Sequence, residues 1–189
     1  MPRAADPPVG ERIREERTKR GVSLRGLARG VGVSASLISQ VETGKCQPSV
    51  GTLYAITTTL GISVEDVFPP AGAVGRRSER EVLPLDSGVT WERLGHVPGV
   101  QVDFLLVTYA PGGSSSGHGQ LMRHAGAEYG YLTEGELILT LGAEEHRLTA
   151  GQSVCFPSST PHRYRNDAAG PAVGVWFVSG QDSGMFSIR

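Results

Sequence analysis

The hydrophobic period of this chain changes once, near residue 70, and that change restricts it to a fold of two unlike parts. Ahead of it, apolar residues recur every three to four positions, the spacing of helices packed on one side. Behind it they alternate in short runs, the spacing of half-buried strands. The helical part has its own punctuation. Glu11–Arg20 carries the pairs Glu15/Lys19 and Glu16/Arg20 in the favourable i,i+4 order, and Gly21 stops it. Ser23 then offers an N-cap to a helix with Leu24, Leu27, Ala28 and Val31 on one face. Gly32 and Val33 form a tight break. Ser34 caps a third helix with a stripe of Leu37, Ile38 and Val41, ended by Gly44. Ser49 caps a fourth with Leu53, Ile56 and Leu60, stopped by Gly61, and Ser63-Val64-Glu65-Asp66 has the form that opens a last short helix.

Pro69-Pro70-Ala71-Gly72-Ala73-Val74-Gly75-Arg76-Arg77 breaks all periodicity and reads as a linker. The expected organisation is a helical domain over 1–68, a linker over 69–80 and a β domain over 81–189. Candidate strands are Val89–Leu94, Val100–Tyr109, Tyr129–Leu132, Glu136–Leu141, Ser153–Phe156 and Ala172–Val178, separated by Gly- and Pro-rich turns. Most of the 26 glycines lie in this half. Many short, turn-punctuated strands imply an all-β barrel or jelly roll. The fold class is therefore α+β, two-domain.

Charge divides at the same place. Residues 1–64 carry a net +4 and residues 81–189 a net −5, within a chain of net −1. A basic front and an acidic back suit a protein that holds nucleic acid by one end. The two cysteines, Cys46 and Cys155, make neither a disulfide framework nor a metal motif. The N-terminus lacks the apolar stretch of a signal peptide, and no run is long enough to span a bilayer. A reducing cytoplasm and no membrane partner are expected.

Two short helices joined by a two-residue break have the spacing of a helix-turn-helix. One helix crosses the DNA backbone and the next enters the major groove. On Ser34–Thr43 the residues not needed for packing are Ser34, Ala35, Ser36, Ser39, Gln40 and Thr43. They are small or amide-bearing, so the helix can lie close to base edges, and Gln40 can pair bidentately with adenine. Arg25 and Lys45 flank this surface and suit phosphates. Residues 9–68 resemble the phage-repressor-type (XRE-like) helix-turn-helix domain. Ile13, Leu24, Leu27, Ala28, Ser34, Ile38, Ser39, Glu42, Gly44, Lys45, Pro48, Leu53, Ile56 and Leu60 carry the likeness. It implies a five-helix domain that binds a palindromic double-stranded operator as a dimer.

The β half carries a dispersed polar constellation. His124-Ala125-Gly126-Ala127-Glu128 is followed six residues later by Gly135, and Gly151 is followed by Pro157, His162 and Asn166 at fixed spacings. These segments resemble the two cupin motifs, with Ser159 at a usual glycine and Met122 at the usual first histidine. The resemblance covers about residues 81–189 and implies a β-barrel with an internal pocket. It also implies His124, Glu128 and His162 as ligands of a divalent metal, with Fe, Zn, Mn or Ni as candidates. Met122 and Gln120 share the inward parity of His124 and are expected to line the pocket, and His118 has that parity too. His96 and His146 read as surface residues, and Cys155 as core packing rather than a redox switch.

The resulting expectation is a homodimeric transcriptional regulator whose cupin barrel binds a small-molecule effector. A competing reading is an enzyme. The His-x3-Glu…His set beside a helical domain also resembles the iron-dependent 2-hydroxypropylphosphonate epoxidase. A third is a dimeric scaffold without ligand. The DNA-compatible surface of the third helix favours the regulator, because an enzyme has no need of it.

Overall fold

The computed structural model describes residues 8–67, 81–97, 100–117 and 120–180. The expected linker over 69–80 and His118 lie outside these. Four α-helices come first: α1 (Val9–Lys19), α2 (Leu24–Val31), α3 (Ala35–Glu42) and α4 (Val50–Leu60). The expected fifth helix is a single 3-10 turn, Val64–Val67. Each anticipated cap forms. The hydroxyls of Ser23, Ser34 and Ser49 accept from the backbone N–H groups of Gly26, Leu37 and Thr52. Gly32 and Gly61 close α2 and α4 with φ of 78° and 66°, left-handed values that glycine adopts without a Cβ clash.

Ile13, Leu27, Ile38, Leu53 and Ile56, all fully buried, make the core of this unit. One ion pair locks α1 onto α3. Arg17 Nε and Nη2 donate to Glu42 Oε1 and Oε2 at 2.6 and 3.0 Å, and Nη1 donates to the Val22 carbonyl at 2.9 Å. This bidentate fork satisfies a carboxylate that is almost wholly buried.

The second unit is a sandwich of two antiparallel sheets. Its strands are β1 (Val82–Leu85), β2 (Val89–Gly95), β3 (Val102–Tyr109), β4 (Ala127–Glu134), β5 (Glu136–Leu141), β6 (Glu144–Thr149), β7 (Ser153–Pro157), β8 (His162–Arg165) and β9 (Ala172–Ser179). The larger sheet runs β1-β2-β3-β9-β4-β7 and the smaller β6-β5-β8. Trp91, Leu105, Val107, Tyr109, Leu132, Leu139, Tyr164 and Trp176 fill the space between them. Three strands were not expected: β1, β6 and β8. Cys155 is exposed, which corrects its expected place in the core. On β7 it is Phe156 that turns inward, so strand alternation sends Cys155 out.

The two units touch through α4. The Asp86 N–H donates to the Pro48 carbonyl at 3.0 Å, and the Gly51 N–H to the Ser115 carbonyl at 3.2 Å. Val50 and Tyr54 reach into the barrel mouth beside Trp91, Met122 and Glu128.

Candidate DNA interface and metal centre

The surface expected to read DNA is presented as the sequence implied. Ser36, Gln40 and Thr43 are exposed along α3, Ala35 and Ser39 are half-buried beside them, and Ser34 stands exposed at the cap. Arg25, at the start of α2, and Lys45, just past α3, are exposed on either side. Gln40 Nε2 donates to Ser36 Oγ at 3.2 Å, which holds the amide along the helix surface. Thr43 Oγ1 donates to the Ser39 carbonyl at 2.8 Å. The opposite face of α3 buries Ile38 and Val41, so the polar side is the one left for a groove.

The metal-type cluster is assembled from both sheets. His162 opens β8 in the smaller sheet, Glu128 lies on β4 in the larger, and His124 sits on the segment entering β4. Gly126 makes that segment possible. Its φ is 94°, and a Cβ there would lie 1.5 Å from the Ser179 carbonyl oxygen, so no other residue fits. All three side chains are buried, and one ligand atom from each lies within 4.8 Å of the others.

The hydrogen bonds on the far side of each imidazole set its chemistry. His124 Nδ1 lies 3.1 Å from the Ala125 carbonyl, and His162 Nδ1 lies 2.8 Å from the Thr160 carbonyl. A carbonyl only accepts, so each Nδ1 carries the hydrogen. Both Nε2 atoms then point at one carboxylate oxygen, Glu128 Oε1, each at 2.8 Å. His162 Nε2 is too poorly aligned to hydrogen-bond it and is a buried nitrogen without a partner. Two lone pairs facing a carboxylate repel unless a cation lies between them, either a proton or a metal ion. Burial opposes ionisation of Glu128, yet its contacts with His124 and His162 outweigh that and hold its carboxyl at about 2. Desolvation lowers the His162 pKa, but Glu128 more than restores it and leaves it raised. The Tyr164 hydroxyl donates to Glu128 Oε2 at 3.2 Å and fixes the carboxylate plane.

Met122 and Gln120 part company. Met122 is buried, pairs backbone to backbone with His162 and lines the interior cavity beside Glu128. Gln120 is exposed and lines a separate groove with Val33, Gly51 and Ser116. Its expected inward position fails because β4 begins only at Ala127, so strand alternation does not extend back to residue 120. Arg123, next to His124, is exposed. Asn166 is structural: its side-chain amide donates to the carbonyls of Tyr109 and Gly170.

Two site residues, Tyr164 and Tyr54, went unnoticed in the sequence. The Tyr54 ring, on α4, stacks on His124 with centroids 4.0 Å apart and planes 3° from parallel. Its hydroxyl donates to Asp103 Oδ2 at 3.4 Å, and Trp91 meets it edge-on at 5.8 Å. The available signal was a second stripe on α4, Val50-Tyr54-Thr57 at i, i+4, i+7, about a quarter turn round the helix from the Leu53-Ile56-Leu60 stripe.

Comparison with known proteins assigns both units. Residues 8–67 match the helix-turn-helix domain family and residues 105–178 the cupin domain family. The HTH-type transcriptional regulator PuuR of Escherichia coli (strain K12) is 29% identical over 167 residues, which are 85% of this chain and 89% of PuuR. An uncharacterized HTH-type transcriptional regulator of Archaeoglobus fulgidus is 40% identical over 57 residues, 30% of this chain and 81% of that protein. The crystal structure of an HTH_3 family transcriptional regulator from Vibrio cholerae superposes with a TM-score of 0.69 at 24% identity, covering 90% of this chain and 94% of that one. The relatives that match by sequence are named as transcriptional regulators, which favours that reading over the epoxidase-like alternative. Among the described residues no helix is long and apolar enough to cross a membrane.

Proposed function

Because this chain belongs to the HTH-type transcriptional regulators and joins its helix-turn-helix to a cupin domain, we propose that it binds a palindromic operator as a homodimer and senses a small-molecule effector through a divalent metal in the barrel. The observation that carries the sensing half is the pair of Nε2 atoms converging on Glu128 Oε1 in a buried site. Each Nδ1 is already tied to a carbonyl, the outer hydrogen bond that orients a metal-binding imidazole. His124, His162 and Glu128 would hold Fe, Zn, Mn or Ni, with Met122 a poor fourth donor for a hard ion. Such an ion would supply a Lewis-acidic docking point for an oxygen or nitrogen of the effector.

Dimerisation has a supporting surface. Phe104, Phe177 and Tyr129 line up across β3, β9 and β4 on the outer face of the larger sheet, their rings 6.5 and 6.2 Å apart. Tyr131 lies on the same face, 49% exposed. An aromatic row open to water is costly for a monomer and suits a second copy. On DNA, Gln40, Ser36 and Ser39 would meet base edges while Arg25 and Lys45 hold phosphates. The 1–68 and 81–189 portions act as reader and sensor, joined over 69–80, and a cytoplasmic setting follows from that role.

Two measurements test this reading. Selection from random DNA should yield a palindrome with half-sites about one helical turn apart. Elemental analysis after anaerobic addition of Fe(II), Mn, Ni or Zn should find metal in wild type and none in His162→Ala. No enriched palindrome defeats the operator reading, and equal metal in both proteins defeats the metal centre.

A further inference from the structure

Two spaces meet at Tyr54. The interior of the barrel, beside Glu128, Met122 and Tyr164, holds only about 20 Å³. That admits about one water or one ion, not an organic molecule. On the other side of the ring lies a cleft of about 250 Å³ between the end of α4 and the barrel rim. Glu128 lines the interior and His124 lines the cleft, so the buried cluster spans the wall between them. Tyr54 and Val178 face both spaces and belong to that wall. They are held in different ways. Val178 is fixed in β9 by ladders to β3 and β4. Tyr54 belongs to a helix of the other unit. Among the described residues, it and Val50 are the only ones of the helical unit that line the interior.

An effector docked on a metal at His124, Glu128 and His162 therefore has no room while α4 is seated. We propose that α4 is a removable stopper of the barrel: an effector on the metal and Tyr54 in the mouth exclude one another, so effector binding lifts α4 off the barrel. The proposal rests on the metal-docked sensor reading above and supplies its route of entry and its output. With the ring withdrawn, the interior joins the cleft. The joined space approaches the roughly 300–1,000 Å³ of small-molecule pockets, and it reaches the cluster.

Unseating α4 has a defined consequence at each end. At the barrel it breaks the stack of Tyr54 on His124 and the hydrogen bond from the Gly51 N–H to the Ser115 carbonyl. At the other end α4 buries Leu53 and Ile56 in the helical core and packs against α2. It cannot leave the barrel without carrying the helix-turn-helix with it. The effector then binds the unseated state and not the seated one, which is the differential affinity that a switch requires. Its apparent affinity falls in proportion to the fraction of molecules unseated.

The joint offers its own lock. A Cβ on Gly51 would lie 3.8 Å from the Ser116 Cβ, the usual separation across a disulfide, and neither residue lines the interior. The test uses the full-length Gly51→Cys/Ser116→Cys protein, with Cys46→Ser and Cys155→Ser removing the native thiols. Manganese(II) is the metal, because it favours oxygen and nitrogen ligands over thiols and its EPR signal reports both uptake and ligand exchange. Acetohydroxamate, a small bidentate metal ligand, is the effector probe. Added to the manganese-loaded, reduced protein, it should alter the bound spectrum. The same protein closed with diamide after loading should need at least about tenfold more probe. Reciprocally, the probe should slow closure of the disulfide at least about tenfold relative to manganese alone. An equal response in both forms, no response in either, or closure at an unchanged rate overturns the stopper while leaving the metal centre in place. No manganese uptake by wild type or by the reduced variant defeats the metal centre and the stopper together. If the double variant melts abnormally, Val50→Ala loosens the same wall in the otherwise native chain. It should take up manganese at least about threefold faster than wild type, and an unchanged rate overturns the proposal.

Discussion

Replacing Tyr54 by alanine should weaken the whole molecule, not just one helix. Tyr54 is 8% exposed, and its ring makes a parallel stack with His124 and an edge contact with Trp91. Removing a buried aromatic side chain costs about 3–5 kcal/mol when the site cannot collapse. Two ring pairs of about 0.5–1.5 kcal/mol each account for part of it. The site here borders an existing cleft, so some relaxation is available, and about 3 kcal/mol is the expected loss. The hydroxyl contributes little: at 3.4 Å its bond to Asp103 is long, so Tyr54→Phe should cost at most about 0.5–1 kcal/mol. Urea unfolding followed by tryptophan fluorescence reports the sheet unit, where Trp91 and Trp176 lie, while far-UV circular dichroism at helical wavelengths reports the other. In wild type the two signals should coincide. In Tyr54→Ala they should separate, because the contact that couples the units is gone. A loss below about 0.5 kcal/mol, the size expected for a surface substitution, would refute the packing of α4 on the barrel.

Other consequences are equally direct. Glu42→Gln should cost about 3 kcal/mol by denaturant titration, because it leaves the Arg17 guanidinium, 13% exposed, without its carboxylate. Gln40→Ala should relax base preference at one position per half-site, costing about 1–3 kcal/mol on the selected operator, whereas Lys45→Ala should weaken all sequences alike and reduce the salt slope by about one; fluorescence anisotropy on specific and random duplexes distinguishes them. Phe177→Asp, placed in the middle of the aromatic row, should turn a dimer into a monomer by analytical ultracentrifugation while leaving the melting curve of the helical unit in place.

The helical half was legible because its signals are local. Ser23, Ser34 and Ser49 each cap the backbone N–H three residues on, so sequence distance and spatial distance coincide. The strands that were missed lack such signals. β6 buries only Leu148 among five exposed residues, and β8 is His162-Arg163-Tyr164-Arg165, whose buried members are a histidine and a tyrosine rather than aliphatic residues. β1 carries a proline, tolerated because it is an edge strand. The metal-type residues were legible from motif spacing alone. Their true partners were not: Tyr164 meets Glu128 across 36 positions and Tyr54 meets His124 across 70. Such encounters are set by the register of the sheets and the docking of α4, neither of which is written in a local period.

Met122 is the position where the chain departs most from the cupin pattern, and the structure shows what the departure does. Its backbone pairs directly with His162, N–H to carbonyl in both directions at 2.9 and 3.0 Å, so its side chain projects on the same side as the imidazole. There it fills the barrel beside Glu128 and helps reduce the interior to about 20 Å³. A thioether is a weak donor to hard divalent ions, so a metal bound here would have three protein ligands. Met122→His should restore a fourth. Structural zinc sites of four ligands reach apparent binding energies of about 10–16 kcal/mol, so one further imidazole is worth roughly 2–3 kcal/mol, or about a hundredfold in affinity. Competition against a chelator of known strength, for Zn and Mn in turn, measures the change. Stronger retention of Zn in Met122→His, with the wild-type fold by circular dichroism, is the expected result. Unchanged retention in a folded variant would mean that residue 122 does not face the imidazoles, and the placement of the metal centre between β4 and β8 would fall with it.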